Sequence, residues 1–162
     1  MRYRLVFIVA VFLSSTGHAQ VSVDLSSNVD RQPIWGPTGY DHVEYYYLPD
    51  IDMYYSVAHC RFSYYERGYW ISRSILPLRY RGYDLYHAYK VVVNEPTPYR
   101  NSVIYREKYS SYKGRHDQPP IRDSPDSKYF VNPNHPEHYN WVRQQRRDNE
   151  REKDHGDKPV RQ

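Results

Sequence analysis

Among 162 residues Cys60 is the only cysteine. A single thiol excludes the disulfide framework on which many small secreted domains rely, so this fold has to hold by packing or by association. Cysteine is among the most often buried residue types, and Cys60 is expected inside rather than bridging two chains. Apolar runs are short as well: the longest, Leu5 to Leu13, is nine residues, well under the roughly 20 that span a bilayer. Catalytic signatures are also missing. There is no Gly-x-Ser-x-Gly elbow and no recognisable Ser, His and Asp set. His59 and Cys60 are neighbours, and neighbours on an extended chain point to opposite sides. His135-x-x-His138 is broken by Pro133 and Pro136 and lacks the glutamate of a zinc helix, so no metal or cofactor is expected. Asp50 and Asp52 read as turn and edge residues rather than as the carboxylate pair of a glycosidase. No catalytic residue is assigned, and the chain is expected not to be an enzyme.

Charge of one sign is scarce too. With 23 Lys and Arg against 19 Asp and Glu the net charge is +4, and losing Arg2 and Arg4 with a leader lowers it to +2. The two signs are interspersed along the sequence, without the basic stripe that a phosphate backbone requires, so nucleic acid is not an expected partner. That leader is the clearest positive feature. Met1-Arg2-Tyr3-Arg4 precedes the apolar run, and Gly17 and Ala19 then occupy the −3 and −1 places of a cleavage site. Residues 1–19 are therefore expected to be a secretory signal peptide, with no membrane span left after cleavage. No cysteine stands at the cut to take a lipid.

Three stretches follow. Residues 20–38 form a polar lead-in that docks at most through Ile34 and Trp35. Residues 39–114 hold 17 of the 20 tyrosines and can bury aromatic surface. Residues 115–162 are Pro-rich and charged with few aliphatic side chains, which predicts a disordered tail. The middle stretch reads as mainly β, a small antiparallel meander of four to five strands, because short Tyr, Val, Ile and Phe runs alternate with turn residues. The strands are expected at Val43–Leu48, Ile51–Val57, Arg61–Tyr65, Tyr69–Arg73 and Tyr89–Val93. Pro49-Asp50 and Glu66-Arg67-Gly68 supply turns, and Ala58-His59-Cys60 a less typical one. Alternation puts Ile51, Met53, Tyr55 and Val57 on one face, continued by Phe62 and Tyr64 and then by Trp70 or Ile71. Residues 83–88 suit a helical turn. Asn101 suits the cap of one short helix to Tyr112, with Tyr105, Tyr109 and Tyr112 on one stripe. Under 80 foldable residues is a marginal size, which leaves room for a partner or a second copy.

The ordered series Tyr45-Tyr46-Tyr47-Leu48-Pro49-Asp50-Ile51-Asp52-Met53-Tyr54-Tyr55, Tyr64-Tyr65, Gly68-x-Trp70, Leu76-Pro77-x-x-Tyr80 and Tyr83-Asp84-Leu85-Tyr86-x-x-Tyr89-Lys90-Val91-Val92 resembles a family. It is that of the uncharacterised tyrosine-rich secreted proteins of Gram-negative bacteria. The resemblance runs from Tyr45 to about Val93. It implies a periplasmic or cell-envelope location and brings no activity and no catalytic residue with it.

Two uses for the tyrosines compete. They can be core and cross-strand pairs, or one face can stay open, since a small sheet is not expected to bury both. In the second case Tyr46, Tyr54, Tyr65 and Trp70 form an aromatic platform rimmed by Arg61, Arg67 and Arg73. The expected role is a structural or protein-interaction module whose partner is an unknown envelope protein. The alternative is a module that stacks its rings on glycan or peptidoglycan.

Overall fold

The computed structural model describes residues 26–156. The expected signal peptide, the first lead-in residues 20–25 and the tail residues 157–162 lie outside the described residues. The fold is mainly β, around a five-stranded antiparallel sheet of order β4-β3-β2-β1-β5. The strands are β1 (Tyr45–Leu48), β2 (Met53–Ser56), β3 (Arg61–Glu66), β4 (Tyr69–Arg73) and β5 (Val91–Val93). β1 to β4 form a meander, and β5 returns to pair with β1. Helix α1 (Ser102–Lys108) continues a 3-10 turn at Pro98–Asn101, and a second helix, α2 (His138–Gly156), closes the described chain.

Each connection has a local cause. Arg67 and Gly68 both have positive φ, 51° and 88°, the conformation of the two-residue type I′ hairpin whose twist matches that of the strands. The four-residue loops β1–β2 and β2–β3 each end in a left-handed residue, Asp52 and Cys60, at φ 51°. Cys60 is therefore exposed at a turn, not buried. The chain reverses there, and the exposed thiol bonds back to the Val57 carbonyl at 3.6 Å. The helical turn expected at 83–88 is present, closed by Ala88 N–H to the Asp84 carbonyl at 3.0 Å.

Register then sets the two faces. Pairing of Tyr46 with Tyr55, Leu48 with Met53 and Tyr64 with Ile71 places all six on one side. That side is the face expected from alternation, with Ile51, Val57 and Phe62 in the same cluster. Trp35 and the 76–85 segment cover it through Leu76, Tyr80, Tyr83 and Leu85. The other side carries Tyr47, Tyr54 and Val93 under Tyr99, Tyr105 and Tyr109 from the α1 region. Both faces are thus covered, against expectation. The β4–β5 connection lies over one, and the stripe running from Tyr105 lies over the other.

The expected disorder after Gly114 does not hold for residues 115–137. Ile121, Tyr129, Asn132 and His135 there are buried, and Ile121 and Tyr129 join Val29 and Ile34 in a third apolar cluster. Ile121 N–H bonds the Gly36 carbonyl and Arg122 N–H the Ile34 carbonyl, both at 2.8 Å. Asn132 donates to the buried carbonyls of Val29 and Gln32 at 2.9 and 2.6 Å. Taken alone the segment has too few apolar groups to order itself, but those it has complete a core begun about 100 residues earlier. Beyond Pro136 no proline or glycine interrupts the chain before Gly156, and Arg, Gln, Glu and Lys dominate. Such residues propagate a helix, so α2 stands where disorder was expected.

Candidate interaction surface

The β3–β4 hairpin gathers most of the side chains singled out in the sequence. Tyr65 stands directly opposite Trp70, their rings 5.6 Å apart and edge-on, the arrangement that aromatic quadrupoles favour. Tyr65 is 55% exposed and Tyr69, at the tip, 74%. Trp70 is half-buried, leaning on Tyr54 at 5.9 Å and Tyr99 at 5.2 Å. Arg61, Arg67 and Arg73 are exposed. Arg61 crosses to β4, donating to the Ser72 hydroxyl at 3.3 Å and to its carbonyl at 3.2 Å. Arg67 occupies the turn, and Arg73 lies opposite Phe62 on the other face.

Two of the expected platform residues are not on this surface. Tyr46 is fully buried on the opposite face, donating its hydroxyl to Gln32 at 3.0 Å. Tyr54 shares the face of Trp70 but is fully buried, with Tyr105 5.8 Å away. Burial pushes the hydroxyls of both well above the usual tyrosine range, Tyr46 with further help from Tyr129 and Tyr54 from Tyr47. Tyr69 was missed by the sequence reading. The signal was available, since a residue flanking a type I′ turn in an edge hairpin has little to pack against.

The hairpin and the segment that follows it concentrate charge that looked interspersed along the sequence. Arg61, Arg67, Arg73, Arg79 and Arg81 face a single acid, Glu66, between residues 58 and 82, a net of five minus one, or +4. The whole chain is also +4, so the remainder balances to zero. Glu66 is taken by Arg79, whose guanidinium also lies over Tyr80 at 5.1 Å and Tyr64 at 5.7 Å.

Other groups of possible chemistry are occupied by structure. Asp50 accepts from the Tyr83 hydroxyl at 3.0 Å and Gly114 N–H at 2.7 Å. Asp52 accepts from the Tyr47 hydroxyl at 3.1 Å and Arg106 Nε at 3.0 Å. Both therefore anchor the β1–β2 loop to distant segments. His138 Nδ1 lies 2.7 Å from the Phe130 carbonyl, and His135 Nδ1 accepts Glu137 N–H at 3.1 Å. Among the described residues no three His, Cys, Asp or Glu side chains come together at metal-binding spacing. A cavity of about 450 Å³ lies between the lead-in and the start of β1, with His42, Glu44 and His59 on its wall. No helix among the described residues is long and apolar enough to cross a membrane.

Fold and surface together define a small antiparallel β module with an arginine- and tyrosine-bearing open edge. No family model, curated protein or solved structure matches the chain.

Proposed function

We propose that this protein is an exported, non-enzymatic module of the Gram-negative envelope that works by surface contact through the β3–β4 hairpin. The observation that carries the reading is the coincidence, on one edge hairpin, of exposed Tyr65 and Tyr69, half-buried Trp70 and three arginines against one acid, a net charge of +2 over residues 61–73. Aromatic and arginine side chains are the types enriched where proteins bind one another. The signal-peptide pattern and the family resemblance support export.

The test is residue-resolved NMR on the exported protein, titrated separately with envelope protein extract, soluble peptidoglycan fragments and envelope polysaccharide. Shifts on Tyr65 to Arg73 with the protein fraction, lost in Tyr65→Ala, are the expected result. The same shifts with glycan, together with quenching of Trp70 fluorescence, replace this reading by the glycan-binding one. Shifts confined to other surfaces overturn it.

A further inference from the structure

We propose that β4 is the acceptor edge for an extended acidic segment of a partner protein, which adds as a sixth strand. This rests on the hairpin being the interaction surface. In a two-residue hairpin the pair that flanks the turn, here Glu66 and Tyr69, exchanges both of its hydrogen bonds. Alternation along β4 then turns the N–H and C=O of Tyr69, Ile71 and Arg73 toward β3, and those of Trp70 and Ser72 outward. The 3.2 Å bond from Arg61 to the Ser72 carbonyl agrees with that direction.

The opposite edge is not equivalent. At the entry to β5 the Gln118 side chain accepts from Lys90 N–H at 2.7 Å and donates to the Lys90 carbonyl at 3.0 Å. It occupies both backbone groups as a neighbouring strand would. Strand addition is a recurrent way to read an extended peptide, with backbone bonds supplying affinity and alternate side chains specificity.

Charge selects the occupant. In the register that pairs Trp70 with Trp70, a second copy antiparallel through β4 would set Arg67 and Arg73 of one chain against Arg73 and Arg67 of the other, and like charges across an interface cost affinity. An acidic strand meets Arg67 and Arg73 instead. With its glutamates on the face of Arg73 and Ile71, its alternate apolar residues lie on the opposite face, beside Trp70. The competing reading is that the arginines only guard the edge against pairing, as charged edge residues do in many sheets.

The test titrates labelled, exported protein with a ten-residue peptide of alternating glutamate and valine. Two controls are run beside it: the same peptide with lysine for glutamate, and one N-methylated at alternate residues, which keeps charge but loses donors. The expected result is binding of the first peptide alone, with hydrogen exchange of the Trp70 and Ser72 amides slowed tenfold or more. Ser72→Pro removes an outward N–H, where an edge strand tolerates proline, and should weaken binding at least tenfold while amide dispersion is kept. Arg67→Asn with Arg73→Gln should weaken it several-fold and flatten its salt dependence. Equal binding of the N-methylated peptide overturns strand addition, and equal binding of the lysine peptide overturns charge selection. Concentration-dependent pairing of the protein through β4 overturns the acidic occupant. Envelope contact that survives Ser72→Pro but not Tyr65→Ala overturns strand addition and keeps the hairpin surface, whereas survival in both overturns the two readings together.

Discussion

Tyr46 and Gly36 show how closely single residues are fitted. A Cβ added at Gly36 would meet the Tyr46 hydroxyl at 2.6 Å and the Pro33 carbonyl oxygen at 3.0 Å. Neither can easily give way, since Tyr46 is pinned by Gln32 and leans on Trp35 with ring centroids 5.5 Å apart. Gly36→Ala should therefore destabilise by about 1–3 kcal/mol through overpacking. Tyr46→Phe alone should cost about 1 kcal/mol for the lost hydrogen bond. The double mutant should be more stable than the two losses added together, because removing the hydroxyl removes the nearest clash. Urea midpoints of the four proteins measure that coupling, and strict additivity would disprove the contact. Arg67 tests the turn in the opposite direction. It holds φ 51° next to Gly68, and Asn-Gly is the pair favoured in a type I′ turn. Arg67→Asn should stabilise by about 0.5–1 kcal/mol, read as a rise in melting temperature.

At the level of elements, the strands were largely legible because period-2 alternation and turn chemistry are local signals. Ile51, Met53, Tyr55 and Val57 are all buried as alternation required, and the Glu66-Arg67-Gly68 turn lies between paired Glu66 and Tyr69. The candidate surface was legible only in part. Tyr65, Trp70, Arg61 and Arg67 could be placed from the hairpin alone. Tyr46 and Tyr54 could not, because their burial depends on Trp35, Tyr99 and Tyr105, which come from segments with no sequence mark of where they dock. The 115–137 segment was misread for the same reason. Its anchor, Asn132, satisfies carbonyls of Val29 and Gln32, a pairing across about 100 residues that no local pattern announces. Asn132→Ala should leave both carbonyls buried without those donors and cost about 1–3 kcal/mol. It should also speed hydrogen exchange in residues 119–135 before it affects β1 to β3. Uniform loss of protection across the sheet would show instead that the segment and the sheet unfold as one unit.

For the whole molecule, the burial of so many hydroxyls together with one ammonium predicts an unusual stability profile. Lys90 is buried, its ammonium donating to the Leu85 carbonyl at 2.6 Å and the Tyr86 carbonyl at 3.2 Å. Burial pulls its pKa down to about 8, against partial support from Asp84. An unfolded lysine titrates near 10.4, so between those values the unfolded chain binds more protons and stability must rise with pH. Tyrosines act in the opposite sense. Burial first, and neighbouring groups second, raise Tyr46, Tyr47, Tyr54, Tyr83 and Tyr105 above the ordinary value of 10.0. Their contribution is intact below that value and is lost as pH climbs past it, because the unfolded rings ionise first. Melting temperature should accordingly climb from pH 8 to a maximum at about pH 9, where five tyrosines begin to outweigh one lysine, and then fall steeply, with tyrosinate absorbance at 295 nm appearing together with loss of the sheet. Lys90→Met should abolish the rise and leave the alkaline fall in place, at some cost in stability for the two carbonyls that lose their donor. A rise that persists in the variant would remove Lys90 as its source, and a steady decline from pH 8 in the parent protein would show that its ammonium is not held in the buried setting described.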